Sequence, residues 1–187
     1  MITLVRTSLA EYLALEETKP YSELIGGEVI QKAMPSPDHS AVTAELVRRF
    51  GNYLIESREA RVDTELRFAD IPEERGYLPD VSATLLSRFP RGQHRGAVEV
   101  RPDIAIEVLS PDDRTSRVME EVQFYLHAGV PITWVVDPEG EAIVEYRPGM
   151  EPVRHTAPAV IDAKPVLRDF TLDVGRLFSI LHDDDGA

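Results

Sequence analysis

The sequence holds no cysteine. That excludes disulfides, a thiol nucleophile and a Cys-ligated zinc site. Lysine is nearly absent too: Lys19, Lys32 and Lys164 are the only three, so the cations are mostly arginine. Acids outnumber them, 33 Asp and Glu against 20 Lys and Arg, for a formal net charge of -13. As a sum, that charge opposes a nucleic-acid partner, whose phosphates must be neutralised. No apolar run is long enough to span a bilayer. Arg6 and Glu11 interrupt the first residues, which do not read as a signal peptide. Together these absences point to the cytoplasm and away from membranes. There are no repeats, low-complexity segments or linkers. The 187 residues suffice for one domain, 1–187, with a substantial core. The acidic tail 182–187 is expected to be frayed.

What is present reads as a mixture of helices and strands. Thr7 and Ser8 can cap a short helix over 9–17, which Lys19-Pro20 ends. Residues 21–33 form a hairpin with Gly26-Gly27 at its turn. After Pro35-Ser36-Pro37, Val42, Leu46, Phe50, Tyr53 and Leu54 recur at helical spacing, giving a long helix to about Ser57. Strands are expected over 61–68, 79–86 and 102–109, the last being the most apolar. A helix over 114–128 stops at Gly129 and leads to a strand over 132–136. A hairpin partner over 142–146, edge strands and a short helix over 174–181 complete the chain. The strand–helix–strand unit from 102 to 136 implies a parallel crossover inside a mixed sheet.

Glu107 is the residue with the sharpest chemical meaning. In Pro102-Asp103-Ile104-Ala105-Ile106-Glu107-Val108-Leu109, Ile104, Ile106 and Val108 share one face, and Asp103, Ala105, Glu107 and Leu109 the other. A carboxylate in such a strand must be compensated by a metal, a cation or hydrogen bonds. A buried ion pair with an arginine is one solution; a metal site is another. A metal needs a second carboxylate. Asp103 is four residues away, roughly 13 Å along a strand, too far to share an ion. Asp80, at the start of the preceding strand, can lie beside Glu107 if the two strands are neighbours, about 4.8 Å apart. Two hard oxygen ligands favour Mg²⁺ or Mn²⁺ over zinc.

Several segments resemble the Uma2 family, also called DUF820, of the PD-(D/E)XK nuclease superfamily. They are Tyr21-Ser22-Glu23-Leu24-Ile25-Gly26-Gly27-Glu28, His39 opening the long helix, Pro79-Asp80-Val81-Ser82, and Pro102 to Pro111. The run Tyr125-Leu126-His127-Ala128-Gly129-Val130-Pro131 leading to Trp134-Val135-Val136-Asp137-Pro138 completes the pattern. The resemblance implies an α/β (α+β), restriction-endonuclease-like fold, a central mixed β-sheet flanked by helices. It further implies divalent-metal-dependent hydrolysis of DNA phosphodiester bonds with Mg²⁺ or Mn²⁺. Asp80 and Glu107 match the metal-binding acids, and Glu23 matches an upstream acid.

The departures bear on activity. The superfamily pattern places a lysine where this chain has Leu109, and Uma2-like sequences place one on the following helix, where this chain has Glu121. Gly26 replaces the family's aspartate in the hairpin turn. A lysine at such a site orients or deprotonates water and offsets charge at the phosphate. Three readings follow. Glu121 acts as a third acid near the metal; Arg117 or Lys32 supplies the charge; or the site is weak or inactive.

His39 either contacts the phosphate or water, or makes a local hydrogen bond at the helix start. The loop Ser87–Arg101 joins the two acidic strands, and its arginines, Arg91 and Arg95 among them, are expected near the site as phosphate contacts, together with Arg117. The alternative for that loop is a solvated surface. Trp134 and Tyr125 read as core. Three functions compete: an endonuclease, a catalytically weakened or inactive nucleic-acid-binding or interaction protein on the same scaffold, and a homodimeric structural protein with an unrelated ligand. A homodimer is expected through edge hairpins.

Overall fold

The computed structural model of the protein describes residues 6–92 and 95–182. The expectation of a frayed tail falls largely on residues 183–187, outside the described ones.

The first helix, α1 (Leu9–Leu13), is closed by a capping box between Ser8 and Glu11. It is shorter than the spacing predicts. Tyr12 is fully buried while Leu15 stays 47% exposed, so a further turn would have no apolar surface to cover. β1 (Ser22–Ile25) and β2 (Glu28–Gln31) form the expected hairpin. Gly26 and Gly27 both take positive φ, 57° and 83°, the requirement of a two-residue turn between twisted strands. α2 (Pro37–Ser57) starts at Ser36, whose hydroxyl accepts the His39 backbone N–H at 3.1 Å. Its stripe of Val42, Leu46, Phe50 and Leu54 is buried.

The expected strand over 61–68 is two strands. β3 (Ala60–Thr64) ends at Glu65, which has φ 46°, and β4 (Phe68–Asp70) belongs to another sheet. The left-handed residue breaks the pleat that Val62, Leu66 and Phe68 suggest. β5 (Arg75–Tyr77) has no sequence signal; Gly76 at its centre and the acids before it hide it. Gly76 is needed there because a Cβ would come within 2.2 Å of the Tyr12 ring. β6 (Val81–Leu85) and β7 (Ile104–Val108) pair antiparallel, α3 (Thr115–His127) follows, and β8 (Ile132–Asp137) returns parallel to β7. β9 (Ala142–Tyr146), β10 (Val153–Thr156), β11 (Val160–Asp162), β12 (Thr171–Asp173), α4 (Val174–Phe178) and a 3₁₀ turn, Ser179–Leu181, complete the order.

Among the described residues the main sheet runs β10-β9-β8-β7-β6-β3, and the smaller one β2-β1-β5-β4; β11 pairs with β12. α2 covers one face of the main sheet over Val81, Ala83, Ile104, Ile106, Val108 and Trp134. α3 contributes Phe124 and Tyr125 to a cluster with Ala105, Phe68 and Tyr77 on the other side. All five residues of β7 are buried, as a central strand with both faces covered requires. This is the α+β architecture, a mixed sheet flanked by helices, that the sequence predicts.

Candidate active site

β6 and β7 pair with Val81 opposite Ile106, so the next step outward sets Asp80 beside Glu107. Val81 and Ile106 face α2, which turns both acids toward the other side. The backbone ties them as well: Val108 N–H donates to Asp80 Oδ2 at 2.8 Å. Both carboxyls are nearly sealed from solvent, at 5% and 4% exposure.

Four other elements close around this pair. Lys32, just after β2, donates through Nζ to Asp80 Oδ1 at 2.9 Å, Glu107 Oε2 at 3.4 Å and the Leu78 carbonyl at 2.8 Å. His39, in the first turn of α2, sets Nε2 3.2 Å from Asp80 Oδ2. From α3, Arg117, Glu121 and Tyr125 stand four residues apart on one stripe. The Tyr125 hydroxyl donates to Glu107 Oε1 at 2.5 Å. Arg117 bridges Glu121 Oε1 and Glu23 Oε2, each at 3.3 Å. Glu23, on β1, is fully buried, and its other oxygen accepts the Leu78 backbone N–H at 2.8 Å.

Burial opposes the charge on Asp80, but Lys32 and the hydrogen bond from His39 hold its carboxyl below the usual range. Glu107 goes the other way. Burial pushes it well above the ordinary value, with Asp80, Glu121 and Glu23 adding repulsion that Lys32 only partly offsets. Glu121 is pushed up to about 8, first by burial and then by Glu23. Burial works against the Lys32 ammonium, yet Asp80, Glu107 and Glu23 raise it well above the lysine range. Burial and the neighbouring Glu107 likewise raise the Tyr125 hydroxyl.

The hollow over the pair is small, about 60 Å³, and lined by Lys32, His39, Asp80, Glu107, Arg117 and Glu121 among others. Two larger hollows of about 410 Å³ share parts of its rim. One lies along α2 and Thr64-Glu65, the other between the hairpin and the start of α3. The small pit has room for a water or two beside the Lys32 ammonium, since each water takes up roughly 30 Å³.

Does the donor set fit a divalent cation? Among the described residues no three His, Asp or Glu side chains converge as metal ligands. Two carboxylates do converge on one cation, the Lys32 ammonium, with a backbone carbonyl alongside. Mg²⁺ commonly binds through one or two carboxylates and keeps several waters. The charges point the same way. Four carboxyls, Glu23, Asp80, Glu107 and Glu121, face two permanent cations, Lys32 and Arg117, and two of the four resist ionisation. The residues therefore fit a divalent ion in charge and ligand type.

Asp80, Glu107, Glu23, His39, Glu121 and Arg117 thus come together. Arg91 and Arg95 do not. Both are exposed, and neither lines the hollow. The expectation that their loop projects near the acids fails because β6 and β7 are antiparallel: the loop leaves from the Leu85–Ile104 end, opposite Asp80 and Glu107. Arg88 in that loop pairs instead with Asp103, whose second oxygen accepts the Leu85 N–H at 2.9 Å. Glu28 is exposed. Tyr125 is buried as its sequence context predicts, but its hydroxyl belongs to the site; the Arg117, Glu121, Tyr125 spacing is the signal for it. The Leu78 carbonyl and Val108 N–H carried no signal.

A family profile described as "Uma2: Putative restriction endonuclease" matches residues 9–175. Among curated proteins none matches significantly. Among solved structures, the chain is similar to a "putative nuclease" of DUF820 from Anabaena variabilis ATCC 29413. The two share 33% identity over 94% of this chain and 99% of that one, with a TM-score of 0.84. A remote likeness, at 12% identity and TM-score 0.33, covers 60% of this chain and 12% of the DrdV chain in its DNA complex. The family match spans most of the sequence, and the fold agrees over nearly all of it: this chain belongs to the Uma2 family.

Proposed function

We propose that the protein is an endonuclease that hydrolyses DNA phosphodiester bonds with Mg²⁺ or Mn²⁺ held by Asp80 and Glu107, the whole chain serving as one nuclease domain. The carrying observation is the pair of buried carboxylates converging on one cation at the floor of an open pit. A divalent ion bound there would polarise a phosphoryl oxygen and make water acidic enough to attack. The chain's own residues do the rest. Val108 N–H and His39 orient Asp80, and Tyr125 orients Glu107. Arg117, part-exposed at the rim, offsets negative charge that an incoming phosphate would meet. The two flanking hollows give a strand room on either side of the pit. Supercoiled DNA incubated with Mn²⁺ or Mg²⁺ should be nicked by the parent protein, and Asp80→Ala should lose that activity. Equal cleavage by both proteins would refute the assignment.

A second reading has its own support. On the pattern that the Uma2 resemblance implies, Glu121 takes the place of a lysine, and the net charge is -13. On that reading the protein binds nucleic acid or a partner without turnover, and no metal yields cleavage while salt-sensitive DNA binding persists. We also propose a homodimer: the β10 edge has no neighbouring strand among the described residues, and Val153 on it is 45% exposed. Light scattering at monomer mass would rule it out. A cytoplasmic location follows only from the proposed substrate; no described helix is long and apolar enough to cross a membrane.

A further inference from the structure

Lys32 occupies an unusual position for a lysine meant to act on water. An ammonium has three N–H donors. Here all three have acceptors: the Leu78 carbonyl at 2.8 Å, Asp80 Oδ1 at 2.9 Å and Glu107 Oε2 at 3.4 Å. None remains for a water or a phosphate. Two of those acceptors are the oxygens that a metal would need, and the ammonium sits between them as a cation in its own right. Its side chain is only 16% exposed, and those of the two acids are 7% and 5% exposed. A second cation cannot share those oxygens with an ammonium already in contact, because like charges that close repel strongly in a poorly solvated site.

The lysine also has somewhere else to go. Its charge acts on Glu23 and Glu121 as well as on Asp80 and Glu107. Glu121, on α3, lines the same pit as Lys32, and Arg117 joins it to Glu23 on β1. The stem is a flexible four-carbon chain, while the Lys32 backbone is fixed by its N–H bond to the Tyr21 carbonyl at 2.8 Å. The ammonium can therefore swing without moving the hairpin.

We propose that Lys32 is the resident cation of the Asp80–Glu107 site, that a divalent metal enters only by displacing its ammonium, and that the displaced ammonium turns to the Glu23 and Glu121 carboxyls. This rests on the metal-site reading above. It gives Glu121 a role: an acid on α3 complements a lysine on the hairpin. It also makes the site self-guarding, filled and neutralised until metal is abundant.

The test is Mn²⁺ titration of the full chain by calorimetry, without DNA. Lys32→Met keeps the stem and removes the charge. It should bind Mn²⁺ about tenfold or more tightly than the parent, the effect of losing charge-assisted hydrogen bonds that the metal must break. Asp80→Asn should abolish binding in both backgrounds. Unchanged or weaker binding by Lys32→Met, with Asp80→Asn still abolishing it, overturns the displacement and leaves the metal site standing. No Mn²⁺ binding by either protein overturns both. Should Lys32→Met fail to fold, Lys32→Arg decides: a guanidinium grips the two carboxylates more firmly, so affinity should drop below the parent's, and equal or tighter binding overturns the proposal. Glu121→Gln should weaken Mn²⁺ binding in the parent and leave Lys32→Met unaffected. An equal loss in both backgrounds makes Glu121 a direct ligand and refutes its role as the lysine's second station.

Discussion

At the scale of single residues, the site is an arrangement of acids in which environment decides which carry charge. Asp80 is held ionised by Lys32 and His39, while Glu107 and Glu121 are pushed toward the neutral form by burial. Glu121 has a consequence for stability. Its ordinary value is 4.5 and its folded value about 8, so between those pH values the folded chain binds a proton that the unfolded chain has lost. Stability is fully present below about 4.5 and declines as pH rises toward 8. Glu121→Gln keeps the shape and cannot ionise. Its melting temperature should match the parent's near pH 4.5 and exceed it by an increasing margin up to pH 8. Thermal denaturation across that range checks this, and a constant difference would show that Glu121 does not titrate in the window. Much of this chemistry was legible beforehand: Asp80, Glu107, Glu23, His39, Glu121 and Arg117 could each be named. What could not be read was the pairing among them. Lys32 stood in the sequence as one of two cations able to compensate, and nothing in its spacing showed that it reaches Asp80, 48 residues away.

Among elements, the small sheet matters as much as the large one. It delivers Glu23 from β1 and Lys32 after β2, and the step from β5 to β6 supplies Leu78 and Asp80. Its placement depends on a close contact between α1 and β5, where the Tyr12 ring lies over Gly76. Gly76→Ala should therefore force the helix off the sheet or bend the strand, at a cost of about 1–3 kcal/mol from overpacking. Chemical denaturation measures that loss; an unchanged midpoint would mean α1 is not anchored there. That β3 and β4 read as one strand, and that β5 carries no signal, has a physical reason. Period-two alternation reports a face, not a sheet, so it does not register a left-handed residue at Glu65 that sends the chain into a different sheet. The long amphipathic α2, by contrast, and the β7–α3–β8 crossover were readable because their apolar spacing extends over several turns or a whole strand.

Over the whole molecule, a charge of -13 must be reconciled with the proposed polyanionic substrate. The geometry sets two pairs of arginines apart, at opposite ends of β6 and β7. Arg114 and Arg117 flank the hollow beside the site, while Arg91 and Arg95 leave from the far end of β6 and β7. If DNA lies across the pit, Arg114→Gln should weaken binding and reduce the slope of affinity against salt by about one phosphate contact. An Arg91→Gln, Arg95→Gln pair should then leave both nearly unchanged. The opposite result in a salt titration would place DNA on the far end.

The sequence by itself determined the helices and strands with sustained apolar periodicity, the family resemblance and the identity of most acids at the site. Those properties are local, or follow from motif order along the chain. Only the tertiary structure decided that Arg91 and Arg95 leave from the end of β6 and β7 opposite the acids, that Tyr125 holds Glu107, and that a lysine from the hairpin fills the place between Asp80 and Glu107. Each of these depends on strand direction or on contacts between distant elements, where a few ångströms separate a hydrogen bond from none.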